Sequence, residues 1–538
     1  MSELFHECGV AAIYHLPTGE ISRLLPAENI NTASGLIVRM LQDMQNRGQL
    51  SAGLTRFHAT PENGQLLDTY RELGTVQEVF RLSHEAKAAS LMTRYLGPAA
   101  IGHVRYATCG KTDRSYAQPF ENHDFHKRRW FSFAFNGQLA NYPHLERELL
   151  QEDNHHLVRS TDTEILLNEI TKVMNRDPLI PLNSMMQMIS QRLDGAYSIA
   201  LLNAAGEMLV ARDPLGIKPM CYAQQGNLFA AASESVALLN LGFKRDEIHS
   251  LPPGHSITIS GGEVKLQPFA LNQSSAHCFF EWIYFANVAS TLDGRSVYLT
   301  RKALGVELAR LERENPLMNI DEDTIVVPVP DTSKAAADSM AFELGIPSME
   351  GLMRNRYSGR TFIENTQESR RARAKTKYTP LHEILHNKKV ILVEDSIVRS
   401  TTMHALLQRL REEGGVREIH VRVACPPIVA PCFYGIDMST VRQLFAPKFM
   451  KDPNDLTAEV QAEMAEKLGA DSLRYLPVSS IASALEMKGS QLCQACITGE
   501  YPTPAGQELY QLDLACGSEE CDSNEDRRAF DSLGAPTT

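Results

Sequence analysis

Cys8 is the first residue in this chain to which chemistry can be ascribed. It opens the run Cys8-Gly9-Val10 behind seven unremarkable residues. A thiol is a good nucleophile once a base removes its proton, and a free α-amino group on the same residue can be that base. Such an arrangement requires cleavage between Glu7 and Cys8. Taken alone, a cysteine at a strand start more often fills a core. Its downstream neighbours shift the balance. Gly102-His103-Val104-Arg105-Tyr106 places Arg105 at a strand end, where a guanidinium can grip a carboxylate bidentately. Phe135-Asn136-Gly137-Gln138 offers the side-chain amide of Asn136 beside the N–H of Gly137, a pair able to hold an oxyanion. Asn-Gly is equally a hairpin signal, which makes a tight turn the plainer reading. Ser160-Thr161-Asp162-Thr163-Glu164 opens a helix, and Asp162 either caps it or holds a substrate ammonium.

A second set lies in the other half. Val390-Ile391-Leu392-Val393 is an apolar strand that delivers the adjacent carboxylates Glu394 and Asp395. Ser396, Arg399, Ser400, Thr401 and Thr402 follow, with hydroxyls and N–H groups at a helix start, a ready anion site. Acid pairs of this kind suit ribose hydroxyls or Mg²⁺, which takes oxygen ligands and substrate phosphates. Two charges after a fully apolar strand are costly without a partner, which weakens a purely structural reading. Val329-Pro330-Asp331-Thr332-Ser333 is a further strand-to-helix loop. Cys493 and Cys496 form a CxxC, and Cys278 and Cys432 complete a set of four thiols. Residue chemistry alone leaves redox, zinc and iron–sulfur readings open.

The N-terminal segments resemble, from Cys8 to about Ile259, the glutaminase domain of the N-terminal-nucleophile amidotransferases. The likeness includes Gln45-Asn46-Arg47-Gly48-Gln49, where that family usually has His at position 46. It also includes Arg212-Asp213-Pro214-Leu215-Gly216-Ile217-Lys218-Pro219 and Ala232-Ser233-Glu234-Ser235. It implies that Cys8 attacks the glutamine amide and that Asn136 and Gly137 hold the oxyanion. Arg105 would take the α-carboxylate and Asp162 the α-amino group. The acid-pair segment is similar to the phosphoribosyl pyrophosphate (PRPP) loop of type I phosphoribosyltransferases, in the version found in the glutamine PRPP amidotransferases. That resemblance implies Ser333, Arg356, Tyr357, Lys375, Lys377, Glu394, Asp395, Ser396, Arg399, Ser400, Thr401 and Thr402 on PRPP. Ser333, Glu394 and Asp395 would hold Mg²⁺, and the stretch after Asn355 would be a flap with Gln367 and Arg370 in its basic part. The family usually has Asp at 394 and Gly at 400, and Gly supplies backbone shapes that Ser resists. Cys278, Cys432, Cys493 and Cys496 match members carrying a [4Fe–4S] cluster. The implied activity makes phosphoribosylamine from PRPP and glutamine, the first step of purine synthesis. A homotetramer inhibited by purine nucleotides is implied as well. A PRPP-sensing regulator without chemistry is the alternative, motivated by Ser400. Sugar-phosphate aminators and asparagine makers share the N-terminal half but have no need of the phosphoribosyl loop.

These residues require two kinds of scaffold. Short β-rich runs such as Gly9–Tyr14, Ala100–Tyr106 and Phe131–Phe135, with helical periodicity over 33–44 and 163–173, predict a layered α/β sandwich, and the resemblance implies αββα layers for residues 8–262. Residues 270–505 alternate strand and helix, at 324–329, 331–344, 389–393, 402–413 and 419–424, which predicts a parallel sheet with ligands beyond its strand ends. Residues 1–7 read as a propeptide and 510–538 as a disordered polar tail. The chain has 538 residues, a net charge of −12, 22% charged and 43% hydrophobic residues, an ordinary globular balance. Acidity argues against nucleic acid as a main partner. No apolar run is long enough to span a membrane, no secretory signal precedes Cys8, and ten cysteines then suggest reduced thiols in a cytoplasm.

Overall fold

The computed structural model describes residues 8–518 apart from 26, 61–64, 107–112, 152–156, 160, 272–273, 356–377, 437, 439, 451 and 453–454. Its first half is two antiparallel sheets packed face to face. One has seven strands, in the order Ile248–Ser250, Cys221–Gln225, Leu228–Ala232, Gly9–His15, Ala99–Arg105, Ser51–Phe57, Leu67–Leu73. The other has six, in the order Glu263–Pro268, His255–Ser260, Met208–Arg212, Gly195–Asn203, Phe131–Leu139, Phe120–Asn122.

Strand alternation explains the layers. Along Gly9–His15, Val10, Ala12 and Tyr14 point into the core between the sheets, and Ala11 and Ile13 point to the outer helices. Phe131, Phe133 and Phe135 do the same for the second sheet, packing with Ile165, Leu166 and Ile170 of the helix Asp162–Arg176. The hairpin His255–Ser260 with Glu263–Pro268 carries this unit to Pro268, past the boundary expected at 262.

The second half has a four-stranded parallel sheet, Thr324–Pro328, Lys389–Glu394, Glu418–Val423 and Ser472–Tyr475, in chain order. Val390 to Val393 are fully buried, as a central parallel strand requires. The helix Val297–Glu314 and the strand Ser472–Tyr475 escaped the sequence reading. Both are amphipathic pieces whose polar residues pair internally: Glu312 of the helix meets Arg422 and Arg474 at 2.7 and 3.0 Å.

The expected disordered tail begins too early. The helix Pro504–Ser518 runs through residue 510, because Leu509 is buried and Tyr510 packs on Tyr501 at 5.4 Å. Asp513 accepts from Val441 N–H at 2.8 Å. No helix among the described residues is long and apolar enough to cross a membrane.

Candidate active sites

At the N-terminal end of Gly9–His15, the first site is a small polar cavity of about 30 Å³. Cys8, Arg105, Gly137 and Asp162 all line it, together with Tyr106, Tyr116 and Thr161. The strand pairing makes this possible. Gly9–His15 and Ala99–Arg105 are antiparallel neighbours, so the start of one lies beside the end of the other, with Gly9 opposite Val104. The Cys8 thiol donates to Tyr106 O at 3.4 Å. Burial pushes its pKa up, while the Tyr106 contact, Arg105 and Lys218 pull it down. The guanidinium of Arg105 lies over the Tyr116 ring at 5.5 Å.

Asn136-Gly137 is no turn. Both sit within the strand Phe131–Leu139, paired with Ser198 and Tyr197. Gly137 has φ +156°, and a Cβ there would fall 1.9 Å from Ala196 O, so glycine is obligatory. Asn136 is not a wall of the cavity. Its amide donates to Ser233 Oγ at 3.5 Å, and that hydroxyl accepts from Val10 N–H at 3.0 Å. Asp162 is the first residue of its helix, capped by Thr161, whose hydroxyl accepts from Glu164 N–H at 3.2 Å. Burial pushes Asp162 up to about 6, against the N–H groups of Leu139 and Thr163 that favour its anion.

Sequence reasoning assigned no role to the network behind the cysteine. Arg47, fully buried, donates to Cys8 O at 3.0 Å, to Glu234 at 2.9 Å and to Glu281 at 2.6 Å. Glu234 also accepts from Asn287 N–H at 2.7 Å and Ser290 Oγ at 2.8 Å. The nucleophile's backbone is thereby tied to the first segment of the second half. Asn46, where His is usual, donates to Glu234 and to Phe285 O, each at 2.9 Å. Gly48 lets this turn approach, since a Cβ there would lie 2.6 Å from the Arg105 backbone.

The second site lies at the carboxyl ends of two neighbouring parallel strands. Glu394 ends Lys389–Glu394, and Glu394, Asp395 and Ser396 are all buried. Asp395 accepts from Thr332 and, at 2.8 Å, from Ser396, so the two strand-end loops are stitched together. Burial raises the Asp395 pKa, and the two hydroxyls and Arg301 oppose that. Arg301 donates to the carbonyls of Trp282, Tyr284 and Ala286. Ser333 Oγ is buried with no hydrogen-bond partner among the described residues. The helices Lys334–Leu344 and Ser400–Glu412 both start here without a side-chain cap, leaving N–H groups for an anion. Ser400 takes an ordinary helical backbone. The described non-glycine residues with positive φ are Arg81, Asp293, Asn387 and Glu486, so serine at 400 meets no strain. Thr401 and Thr402 continue that first turn. Arg356, Tyr357, Gln367, Arg370, Lys375 and Lys377 lie outside the described residues.

Three of the four thiols come together through a pairing that spacing could not reveal. The short parallel pair His277–Cys278 and Leu492–Cys493 sets Cys278 opposite Cys493. Cys496 follows one turn on, in Ala495–Thr498. Cys432 is brought over by Val429 and Ala430, whose N–H groups donate to Cys496 O at 2.8 and 3.2 Å. Burial pushes Cys493 up to about 12 and raises Cys496 well above the ordinary thiol value, with Cys432 adding to both. Among the described residues, no group of three His, Cys, Asp or Glu is gathered tightly enough to mark a metal site by itself.

Fold and sites together define a glutamine amidotransferase of the cysteine-nucleophile sandwich type, fused to a phosphoribosyltransferase-like parallel sheet. The glutamine amidotransferase domain family matches residues 90–250. An amidophosphoribosyltransferase of Methanothermobacter thermautotrophicus is 36% identical over 515 residues, covering 95% of this chain and 98% of the relative. That of Bacillus subtilis is 33% identical, covering 88% of this chain and 91% of the relative. The solved glutamine PRPP amidotransferase from B. subtilis, complexed with ADP and GMP, superposes with a TM-score of 0.75 at 31% identity over 93% of this chain and 98% of that one. The chain belongs to the amidophosphoribosyltransferase family.

Proposed function

We propose that the two sites act in series, releasing ammonia from glutamine at Cys8 and delivering it to PRPP at the Glu394–Asp395 loop. The products are phosphoribosylamine, glutamate and pyrophosphate. The observation that carries this reading is the shared cavity of Cys8, Arg105, Gly137 and Asp162, tied through Arg47, Glu234 and Glu281 to the half bearing the acid pair.

In the first half-reaction, Arg105 takes the glutamine α-carboxylate and Asp162 its ammonium. The thiol attacks the side-chain amide and Gly137 N–H meets the developing oxyanion; the Asn136 amide, which rests on Ser233 Oγ, joins it only by turning into the cavity. A buried thiol needs a base. His103 cannot serve, because burial lowers its pKa to about 3 and its Nε2 is committed to Phe135 O at 3.0 Å. The Cys8 α-amino group, freed by removal of residues 1–7, is the base in this scheme. Water then hydrolyses the thioester to glutamate.

In the second, Asp395 and Glu394 face the ribose. The uncapped helix starts at Ser400 and Lys334, with Ser396, Ser400, Thr401 and Thr402, hold phosphate oxygens. Arg399 and the stretch bearing Arg356, Tyr357, Lys375 and Lys377 complete the PRPP contacts. Ammonia attacks C1 of the ribose and pyrophosphate leaves. Two buried carboxylates and the unpartnered Ser333 Oγ fit Mg²⁺, which when bound neutralises pyrophosphate charge. Four cysteines suit a [4Fe–4S] cluster by ligand chemistry, since thiolates are its ligands and burial at Cys493 and Cys496 disfavours an anion with no cation beside it. Cys278, Cys432, Cys493 and Cys496 would hold it, tying the start of the second half to its end. Purine nucleotides as inhibitors, a homotetramer and a cytoplasmic setting belong to the same proposal.

A coupled assay of PRPP- and glutamine-dependent pyrophosphate release by anaerobically purified protein tests the reaction. Release that needs no glutamine or ammonia would reject it. Intact mass of active enzyme should begin at Cys8, and Met1 or Ser2 at the start of fully active enzyme would exclude the amino-group base. The protein should be brown, with about four irons per chain. Colourless, air-stable enzyme with one zinc would assign the thiols otherwise.

A further inference from the structure

The sandwich half holds a second cavity that neither active site uses. Its volume is about 700 Å³, within the range of small-molecule pockets. Its floor is the edge strand Leu67–Leu73 and one wall is the helix Glu85–Arg94. Four cations line it, Arg81, Lys87, Arg94 and Arg114, against a single carboxylate, Asp68. In a chain of net charge −12, that is a local inversion of sign.

Two details point to a ligand. Asp68 is 9% exposed, and its Oδ2 has no hydrogen-bond partner among the described residues. Its counterions Arg56 and Arg94 both stand back at 3.8 Å. The carboxylate is thus held on its inner oxygen by two long ion pairs, and its other oxygen, not enclosed in this way, is an acceptor that a ligand hydroxyl in the cleft could use. Arg81 follows the helix Val76–Val79 with φ +57°, a helix-end conformation that glycine ordinarily fills. Its side chain and that of Lys87 are exposed and make no ion pair among the described residues.

We propose that this cleft binds a small metabolite carrying both phosphate and vicinal hydroxyls, with its phosphate on Arg81, Lys87 and Arg94 and a hydroxyl donating to Asp68. Sugar phosphates and nucleotides share that chemistry. One turn, Arg114–Tyr116, lies between this cleft and the glutamine cavity. Arg114 lines the cleft, where it now pairs with Glu72 at 3.3 Å, and Tyr116 covers the guanidinium of Arg105. Occupancy should therefore register in the KM for glutamine.

The test is hydrogen exchange across Glu85–Arg94 in the full-length protein, carrying Asp395→Asn to silence the acceptor site. Ribose 5-phosphate, ADP and inorganic pyrophosphate are added separately. The two hydroxyl-bearing compounds should slow exchange, and pyrophosphate should do so more weakly. Asp68→Asn should weaken the first two by about tenfold and leave pyrophosphate unchanged. Arg81→Ser with Lys87→Ser, both at exposed positions, should remove all three effects. Stronger protection by ADP than by ribose 5-phosphate would identify a nucleotide site, and equal protection a sugar-phosphate site. No slowing by any compound overturns the proposal, as does slowing unchanged in the double variant. Protection that follows protein concentration and not added compound would make the cleft an interface between copies, which also overturns it.

Discussion

The two halves of this molecule solve the problem of building a site in opposite ways. In the antiparallel half, Cys8, Arg105, Gly137 and Asp162 sit at strand ends, within a strand and at a helix start, and share one small cavity. In the parallel half, the acid pair and the helix starts stand on loops beyond the strand ends, and much of the expected PRPP set falls in residues 356–377. Antiparallel pairing brings the start of one strand beside the end of another, so one cavity can collect residues nearly 130 positions apart in Cys8 to Gly137. Parallel sheets send all carboxyl ends to one edge, so their residues come from successive loops. The first design is pre-assembled. The second places two uncapped helix starts and the acid pair on loops that face outward from the sheet edge.

Substitutions that separate the halves give the largest effects. Cys8→Ala should lower glutamine-dependent synthesis by at least about 10⁴-fold, as loss of a nucleophile does. Ammonia-dependent synthesis should be spared. Equal loss of both activities would mean that the two sites are not separable. Asp395→Asn should reverse the pattern, reducing both syntheses by about 10²- to 10³-fold while basal glutamine hydrolysis survives. Unchanged ammonia-dependent turnover in that variant would refute the acceptor assignment.

Asp162 sharpens the contrast through pH. Burial pushes its carboxyl up to about 6, so acid should remove the charge proposed to hold the glutamine ammonium. KM for glutamine should rise as pH falls through that value, and in Asp162→Asn the inflection should vanish, leaving KM high throughout. Stability should move in the other direction. A carboxyl raised in the folded state binds its proton more tightly there, so its contribution grows as pH falls through about 6 and levels off near the ordinary carboxylate value. Ammonia-dependent synthesis should carry no such inflection in KM. The smallest effect is expected at the seam. Asn46→Ala removes two hydrogen bonds, to Glu234 and Phe285 O, and should cost about 1–2 kcal/mol in chemical denaturation. If PRPP binding in the second half stimulates glutamine hydrolysis through this seam, the substitution should also weaken that stimulation. Stimulation left intact would show that Asn46 is packing alone.

Much of this was legible from residue types and local spacing. Apolar runs ending in Glu394-Asp395, alternation around Cys8 and Arg105, and the helix opening at Asp162 are all short-range patterns set by backbone geometry. They yielded the layered character of the first half, the parallel sheet of the second, and the elements on which the candidate residues stand. Local pattern misled where two readings shared one sequence. Asn136-Gly137 has the chemistry of a turn, but its pairing with Ser198 and Tyr197 holds it extended. Residues 510–518 look like the start of a polar tail, yet Leu509 and Tyr510 have a surface to bury against. Ser400 looked incompatible with its loop until the backbone there proved helical.

Long-range pairing was beyond reach. The register that sets Cys278 opposite Cys493, the buried Arg47 between Glu234 and Glu281, and the cleft holding Asp68 each join segments far apart in the chain. By itself, the sequence determined which residues have the chemistry and which elements carry them, because both follow from side-chain type and short-range periodicity. Only the tertiary structure decided which of them meet, because buried charges and thiols take their partners from whatever the packed core brings within a few ångströms.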